Sequence, residues 1–290
     1  MPEMETVRTG RGLGPWRTVG GLVGLVAILA LMTVAQSNFQ EEDAEANQVL
    51  SGGAFGYADP EGRRVLTPVD TGLARGMKRF SKVVVAPGKV ADVTFVEVRG
   101  PAEDPGTRQS PETFDATSGA VFSSGVALPG GGDVLVATDR FLSERQVLPL
   151  TPAAHKECDA AVKAALEVRG GRSVAWCENL SRVGEDGMLS LARFAPRGRE
   201  ELFTLVYTGV GGPVFRDHPV EAGPVGTWHA DEGDSFSAEG YQPLFAFRTK
   251  NGLEVAVRWH GADGRTMDLY RQEGETFVPY LAANWYQQGE

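Results

Sequence analysis

Near its C-terminal end the chain alternates apolar and polar residues in four short runs, LFAFRT, LEVAVRW, MDLYRQ and TFVPYL. Tight turns separate them at Lys250-Asn251-Gly252, Gly261-Ala262-Asp263-Gly264 and Glu273-Gly274-Glu275. Period-two alternation gives each run one apolar face, and an Asn-Gly pair between such runs supplies the positive φ angles that a two-residue hairpin needs. Residues 243–282 are therefore expected to form a four-stranded antiparallel meander.

Strand signals recur upstream. KVVVAPG and VADVTFVEVRG meet at a Pro87-Gly88 turn, GAVFSSGVAL and DVLVATDRFL flank Pro129-Gly130-Gly131-Gly132, and SVAWCEN, MLSLARF and ELFTLVY follow. One segment has helical spacing instead. From Ala153 to Val168 apolar residues recur at three- and four-residue intervals, with Thr151 as a cap, Pro152 suited to the first turn and Gly170-Gly171 as a stop. Strands and helices do not alternate, so a doubly wound sheet is excluded. The expected fold is mainly β, or α+β, with antiparallel sheets and one inserted helix near 151–168.

The N-terminal portion carries a different signal. Val19 to Ala35 reads VGGLVGLVAILALMTVA, and the uncharged run extends from Thr18 to Gln40. As a helix its apolar part spans roughly 26 Å, at the boundary between a signal peptide and a membrane anchor. Arg8, Arg11 and Arg17 precede it, whereas Glu41, Glu42, Asp43 and Glu45 follow. The positive-inside bias then places the N-terminus in the cytoplasm and the body outside it. Thr33 and Ala35 are small enough to permit cleavage before Gln36. The expected organisation is a cytoplasmic segment (1–18), an anchor or signal core (19–35), a linker or stalk (36–75) and an extracytoplasmic β-rich domain (76–290). That domain carries a possible subdomain division near 210–226.

Charge bears on partners. The chain has a net charge of −10, and without residues 1–35 it retains 25 basic and 36 acidic side chains, a net of −11. A body this acidic lacks the basic face that nucleic acid requires. Arginine outnumbers lysine 22 to 6, and with abundant Ala, Gly and Val this suggests a GC-rich bacterial source.

The two cysteines, Cys158 and Cys177, are too few for a four-thiolate zinc site, and on the oxidising side of a membrane they are expected to pair and pin the helix to the following strand. The four histidines form neither a His-x-x-x-His pair nor a His-Glu-x-x-His motif. Trp-His precedes an acidic glycine turn twice, so His229 and His260 with Asp231 or Asp263 compose the one candidate metal set. The plainer reading makes each a strand-end residue bonded to backbone. Gly233-Asp234-Ser235 lacks the Gly-x-Ser-x-Gly elbow of a hydrolase, and Asp217-His218-Pro219 reads as a proline-flanked loop. Tyr280, Trp285 and Tyr286 form an aromatic cluster suited to docking a tail or meeting a partner. No cofactor is indicated.

The expectation is a bacterial inner-membrane or secreted envelope protein acting as a non-enzymatic binding or accessory subunit with a protein partner. The alternatives are a periplasmic metal-dependent hydrolase and a carbohydrate-binding β-domain that uses its tryptophans.

Overall fold

The computed structural model describes residues 44–100, 109–223, 226–227, 240–261 and 264–286. The apolar segment 19–35, Trp228, His229, Asp231, Ser235 and Asp263 lie outside the described residues. Among the described residues, no helix is long and apolar enough to cross a membrane.

A first helix, α1 (44–51), leads into six strands. These are β1 (Gly53–Ala58), β2 (Arg64–Thr67), β3 (Lys82–Val85), β4 (Lys89–Arg99), β5 (Gly119–Ser124) and β6 (Asp133–Ala137). All pair antiparallel and close a barrel in the order β1-β2-β5-β4-β3-β6. Alternation explains the closure. Ala54, Ala58, Val65, Val83, Val85, Ala120, Phe122, Val134 and Val136 share the interior with Met77 and Phe80, which lie beyond the short helix α2 (Thr71–Ala74). The intervening residues Phe55, Tyr57, Leu66, Val84, Val121, Leu135 and Ala137 belong to a second cluster on the outer face. Small and β-branched side chains, with the Phe80 and Phe122 rings, thus fill a narrow barrel while Phe55 and Tyr57 point out of it. Gly56 shows how tight the interior is, since a Cβ there would lie 2.5 Å from the Leu66 carbonyl oxygen.

Two findings correct the sequence reading of this half. β1 and β2 fall within the 36–75 segment expected to be a linker, because fully buried GAFGYA has no alternation to reveal it. DVLVATDRFL is not one strand: Thr138 accepts a hydrogen bond from the Phe141 amide and starts helix α3 (Asp139–Ser143).

The remaining strands form one sheet. β7 (Gln146–Leu148) and β8 (Leu150–Pro152) are separated only by Pro149, yet they occupy its opposite ends. Helix α4 (Ala160–Gly170) follows. β9 (Val174–Val183), β10 (Gly187–Phe194), β11 (Glu200–Thr208) and β12 (Val214–Gly223) make one antiparallel meander, with β13 (Gly226–Thr227) paired to the end of β12. β14 (Tyr241–Thr249), β15 (Gly252–Gly261), β16 (Gly264–Glu273) and β17 (Thr276–Tyr286) make the other, as the alternating runs required. The two meanders touch through one parallel pairing, Phe215 with Thr276, and at the far side through the β7–Pro149–β8 bend. The sheet therefore wraps on itself around Leu189, Leu191, Leu205, Val255, Val257, Tyr270 and Phe277. The change from barrel to sheet falls between β6 and β7, upstream of the 210–226 division expected from sequence.

Helix α4 begins later than Thr151, because Thr151 and Pro152 pair with Arg182 and Ser181 as part of β8. Its C-terminus agrees with expectation, since Gly171 closes it with φ of 61°. The Cys158–Cys177 disulfide is formed, with Cα atoms 5.5 Å apart, and it is buried beside Leu166, Ala192, Phe194, Val206 and Phe215. Helix α4 thereby covers the outer face of β9–β12.

The outer face of β14–β17 packs on the barrel. Phe245 and Phe247 of β14, Ala256 of β15, Met267 and Leu269 of β16 and Leu281, Ala283 and Trp285 of β17 join the outer cluster of the barrel. Trp285 is thus a core residue, 5.2 Å from the Tyr57 ring, and Tyr280 stacks under Arg271 at 3.6 Å. Of the two roles expected of this cluster, docking the tail or meeting a partner, the Trp285 packing is of the first kind. Buried carboxylates bracket this apolar seam. At one end Asp133 of β6 meets Arg258 at 2.5 Å and Arg265 at 3.1 Å. At the other, Glu254 meets Arg145 at 2.7 Å and Arg271 at 2.9 Å.

Glu254 and Arg145 expose only 1% and 6% of their side chains, so removing the acid strands a buried cation. Glu254→Ala is expected to cost about 3–5 kcal/mol in urea unfolding. A loss below about 1 kcal/mol would show that the pair is not a structural lock.

Candidate functional site

The inner face of the wrapped sheet is apolar except at one end. The register sets four residues side by side there: Trp176 of β9 opposite Arg193 of β10, Arg193 opposite Phe203 of β11, and Phe203 opposite His218 of β12. One step inward Arg216 lies opposite Leu205. From the other meander Tyr241 faces Trp259, and Trp259 faces Thr266, with Asp268 and Tyr270 next on the same face of β16. Trp176, Arg193, Arg216, His218, Trp259 and Asp268 are half-buried, whereas Tyr241 and Tyr270 are buried at 4% and 2% exposure. This end of the interior therefore reaches solvent over a floor of two tyrosines.

Hydrogen bonds join these groups into one chain. The Tyr241 hydroxyl lies 3.1 Å from His218 Nε2 and is bonded in turn to Tyr270. Tyr270 donates to Asp268 Oδ2 at 2.9 Å, and the Trp259 indole N–H points at the same oxygen at 3.4 Å. The His218 ring packs against both tyrosines, with centroids 5.9 and 6.2 Å away. Arg216 sits over the Tyr270 ring at 5.4 Å. Its Nε is buried without a hydrogen-bond partner, and so is that of Arg193, whose Nη2 meets Glu201 at 3.0 Å.

The electrostatics follow from burial. Desolvation pushes the Asp268 carboxyl above the usual carboxylate range, against the opposing pull of the Tyr270 and Trp259 hydrogen bonds and the Arg216 charge. Desolvation likewise raises both tyrosine hydroxyls, so they act as hydrogen-bond relays, not as phenolates. The result is a polar end with an under-satisfied guanidinium, a carboxyl biased towards its neutral form and flat aromatic walls.

Sequence reasoning named His218 but put it in a loop. It lies on β12, and Pro219 is tolerated beside it because the pairing of β12 with β17 is confined to Phe215. Asp268, Tyr270, Tyr241 and Arg216 were missed. The available signal was MDLYRQ, in which an acid and a tyrosine occupy one strand face while methionine and leucine occupy the other. Of the metal set His229, His260, Asp231 and Asp263, only His260 is described. It is exposed on β15, on the face opposite Trp259. Among the described residues, no three His, Cys, Asp or Glu side chains come together to hold a metal ion.

A concavity of about 440 Å³ is lined by Glu144, Arg145, Thr249, Lys250, Asn251, Glu254 and Arg271. Its main cations are already engaged by Glu254, so its chemistry is that of the seam described above. Comparison with protein-family models, curated proteins and solved structures finds no significant match to this chain.

A carboxyl raised by burial favours folding at low pH, and that contribution is lost as pH rises through its folded value. Asp268→Asn keeps an oxygen acceptor for Tyr270 and Trp259 but has no charge to desolvate. The variant is expected to melt higher than the parent at pH 7, with the difference vanishing below about pH 4. A lower melting point at pH 7 would mean that Asp268 is an anion held by Arg216.

Proposed function

We propose that the protein is an extracytoplasmic subunit of a bacterial envelope, anchored by or released from residues 19–35, that binds and does not catalyse. The observation that carries the reading is the buried Cys158–Cys177 disulfide. Such a staple persists where the compartment is oxidising. It agrees with the arginines before the uncharged run and the acidic residues after it, which favour export of the body.

Architecture supports binding. The barrel and wrapped sheet share one continuous apolar seam bracketed by ion pairs, a rigid frame that leaves the polar end of the interior as its distinctive feature. A partner protein in the envelope is part of this proposal, and nucleic acid is not, given the net charge of −10.

In a bacterial host, protease added to spheroplasts is expected to degrade the 36–290 body, while intact cells protect it. Protection in spheroplasts would place the body in the cytoplasm and defeat the reading. For the purified protein, the sequence separation of 19 between the cysteines predicts that Cys158→Ser/Cys177→Ser loses about 3 kcal/mol in urea unfolding.

A further inference from the structure

The ion cluster at Glu254 carries one positive charge more than it cancels, since a single carboxylate meets both Arg145 at 2.7 Å and Arg271 at 2.9 Å. Arg145 is fully engaged: its nitrogens bond both Glu254 oxygens and the Phe141 carbonyl. Arg271 is not. Glu254 takes its Nε and Tyr280 packs under its plane, yet its side chain keeps 31% exposure and lines the concavity of about 440 Å³. The turn between β14 and β15 adds two donors to the same wall. Among the described residues, Lys250 has no ion pair and the Asn251 side-chain amide no hydrogen bond. The acid at the rim, Glu144, is exposed and shared with Arg140 at 3.6 Å. Every lining residue is polar, and the cations Arg145, Lys250 and Arg271 outnumber the acids Glu144 and Glu254. The hollow is therefore electropositive on a chain whose net charge is −10.

We propose that this concavity binds a small organic anion, with its phosphate or carboxylate group on Arg271 and Lys250. Arg271 is ordered by its acid and by the ring beneath it before any ligand arrives, so little rotamer freedom is left to lose on binding. Its planar guanidinium suits the paired oxygens of either group, and the Lys250 ammonium acts as a mobile point charge. The Asn251 amide can donate to an oxyanion oxygen or meet a ligand hydroxyl. The volume falls in the range of about 300–1,000 Å³ typical of small-molecule sites, which gives room for a carbon skeleton behind the charged group. Glu144 opposes the ligand charge from the rim, so the hollow has a direction: the anion belongs on the Lys250 and Arg271 side. The assignment rests on the reading of the protein as an exported binding subunit only for where the ligand is encountered.

The test is calorimetric titration of the purified full-length chain, in nonionic detergent, with glycerol 3-phosphate and with succinate. Inorganic phosphate and uncharged glycerol serve as separate arms. Saturable binding of at least one organic anion is expected, tighter than inorganic phosphate and about tenfold or more tighter than glycerol. The tighter of the two organic anions identifies the charged group that the site takes. Lys250→Gln should weaken that binding about threefold or more, and Glu144→Gln should tighten it by a similar factor. Both side chains are exposed, so both variants should melt with the parent. A general loss of folding would weaken binding in both variants, whereas the proposal moves them in opposite directions. It is overturned by absence of saturable binding of either organic anion, by glycerol or inorganic phosphate binding as tightly, by unchanged affinity in Lys250→Gln, or by failure of Glu144→Gln to tighten binding. Failure here leaves the spheroplast result standing, and a cytoplasmic body would leave the binding result standing.

Discussion

β15 and β16 are buried on both faces, and most of the structure follows from that constraint. On one face Ala256, Met267 and Leu269 press against the barrel, and on the other Val255, Val257 and Tyr270 line the wrapped interior. A strand buried on one face needs one partner layer, whereas these need two. The barrel supplies the first with Phe55, Tyr57, Leu66 and Leu135. The second meander, β9–β12, supplies the other by closing over the inner face, and its own back is then covered by α4 and held there by the disulfide.

The two faces treat polar groups in opposite ways. On the barrel-facing side each buried carboxylate has two arginines, and Glu254 lies directly opposite Arg271 in the ladder, so charge is confined to the ends of an apolar seam. Replacing such pairs with apolar residues of the same shape is often neutral, so their value lies in fixing how the layers register. On the inner side the pairing is looser: Arg193 meets Glu201 at 3.0 Å, Arg216 acts on Asp268 without forming an ion pair among the described residues, Asp268 is raised by desolvation, and Tyr241 and Tyr270 relay hydrogen bonds beneath them.

Legibility followed burial. The 243–282 meander was readable because its turns carry Gly252 and Gly274 at positive φ and its runs alternate. The disulfide was readable because the chain has only two cysteines, one on the helix side and one on the strand after it. β1 was not, since both faces of GAFGYA are buried and period two disappears when neither side meets water. The helix start was misplaced because Thr151-Pro152 is locally a good cap, but Ser181 and Arg182 capture those residues into a strand. The site was largely illegible for a different reason. Its members come from β9 to β12 and β14 to β16, and only ladder register reveals that Tyr241 faces Trp259 or that His218 and Arg216 share the inner face.

That register also limits how the site can vary. Asp268 and Tyr270 are two residues apart on one strand and must point the same way, whereas Met267 and Leu269 between them are fixed in the barrel seam. A one-residue slip of β16 would bury the acid against Phe245 and turn the methionine into the polar end, so site and seam stand or fall with the same ladder. The seam holds the register through apolar area and the Glu254 and Asp133 ion pairs, and that allows the inner face to retain a desolvated acid and a guanidinium whose Nε has no hydrogen-bond partner without losing the fold. Unfavourable groups persist where the surrounding structure over-determines them, and here the over-determination comes from the opposite face of the same two strands.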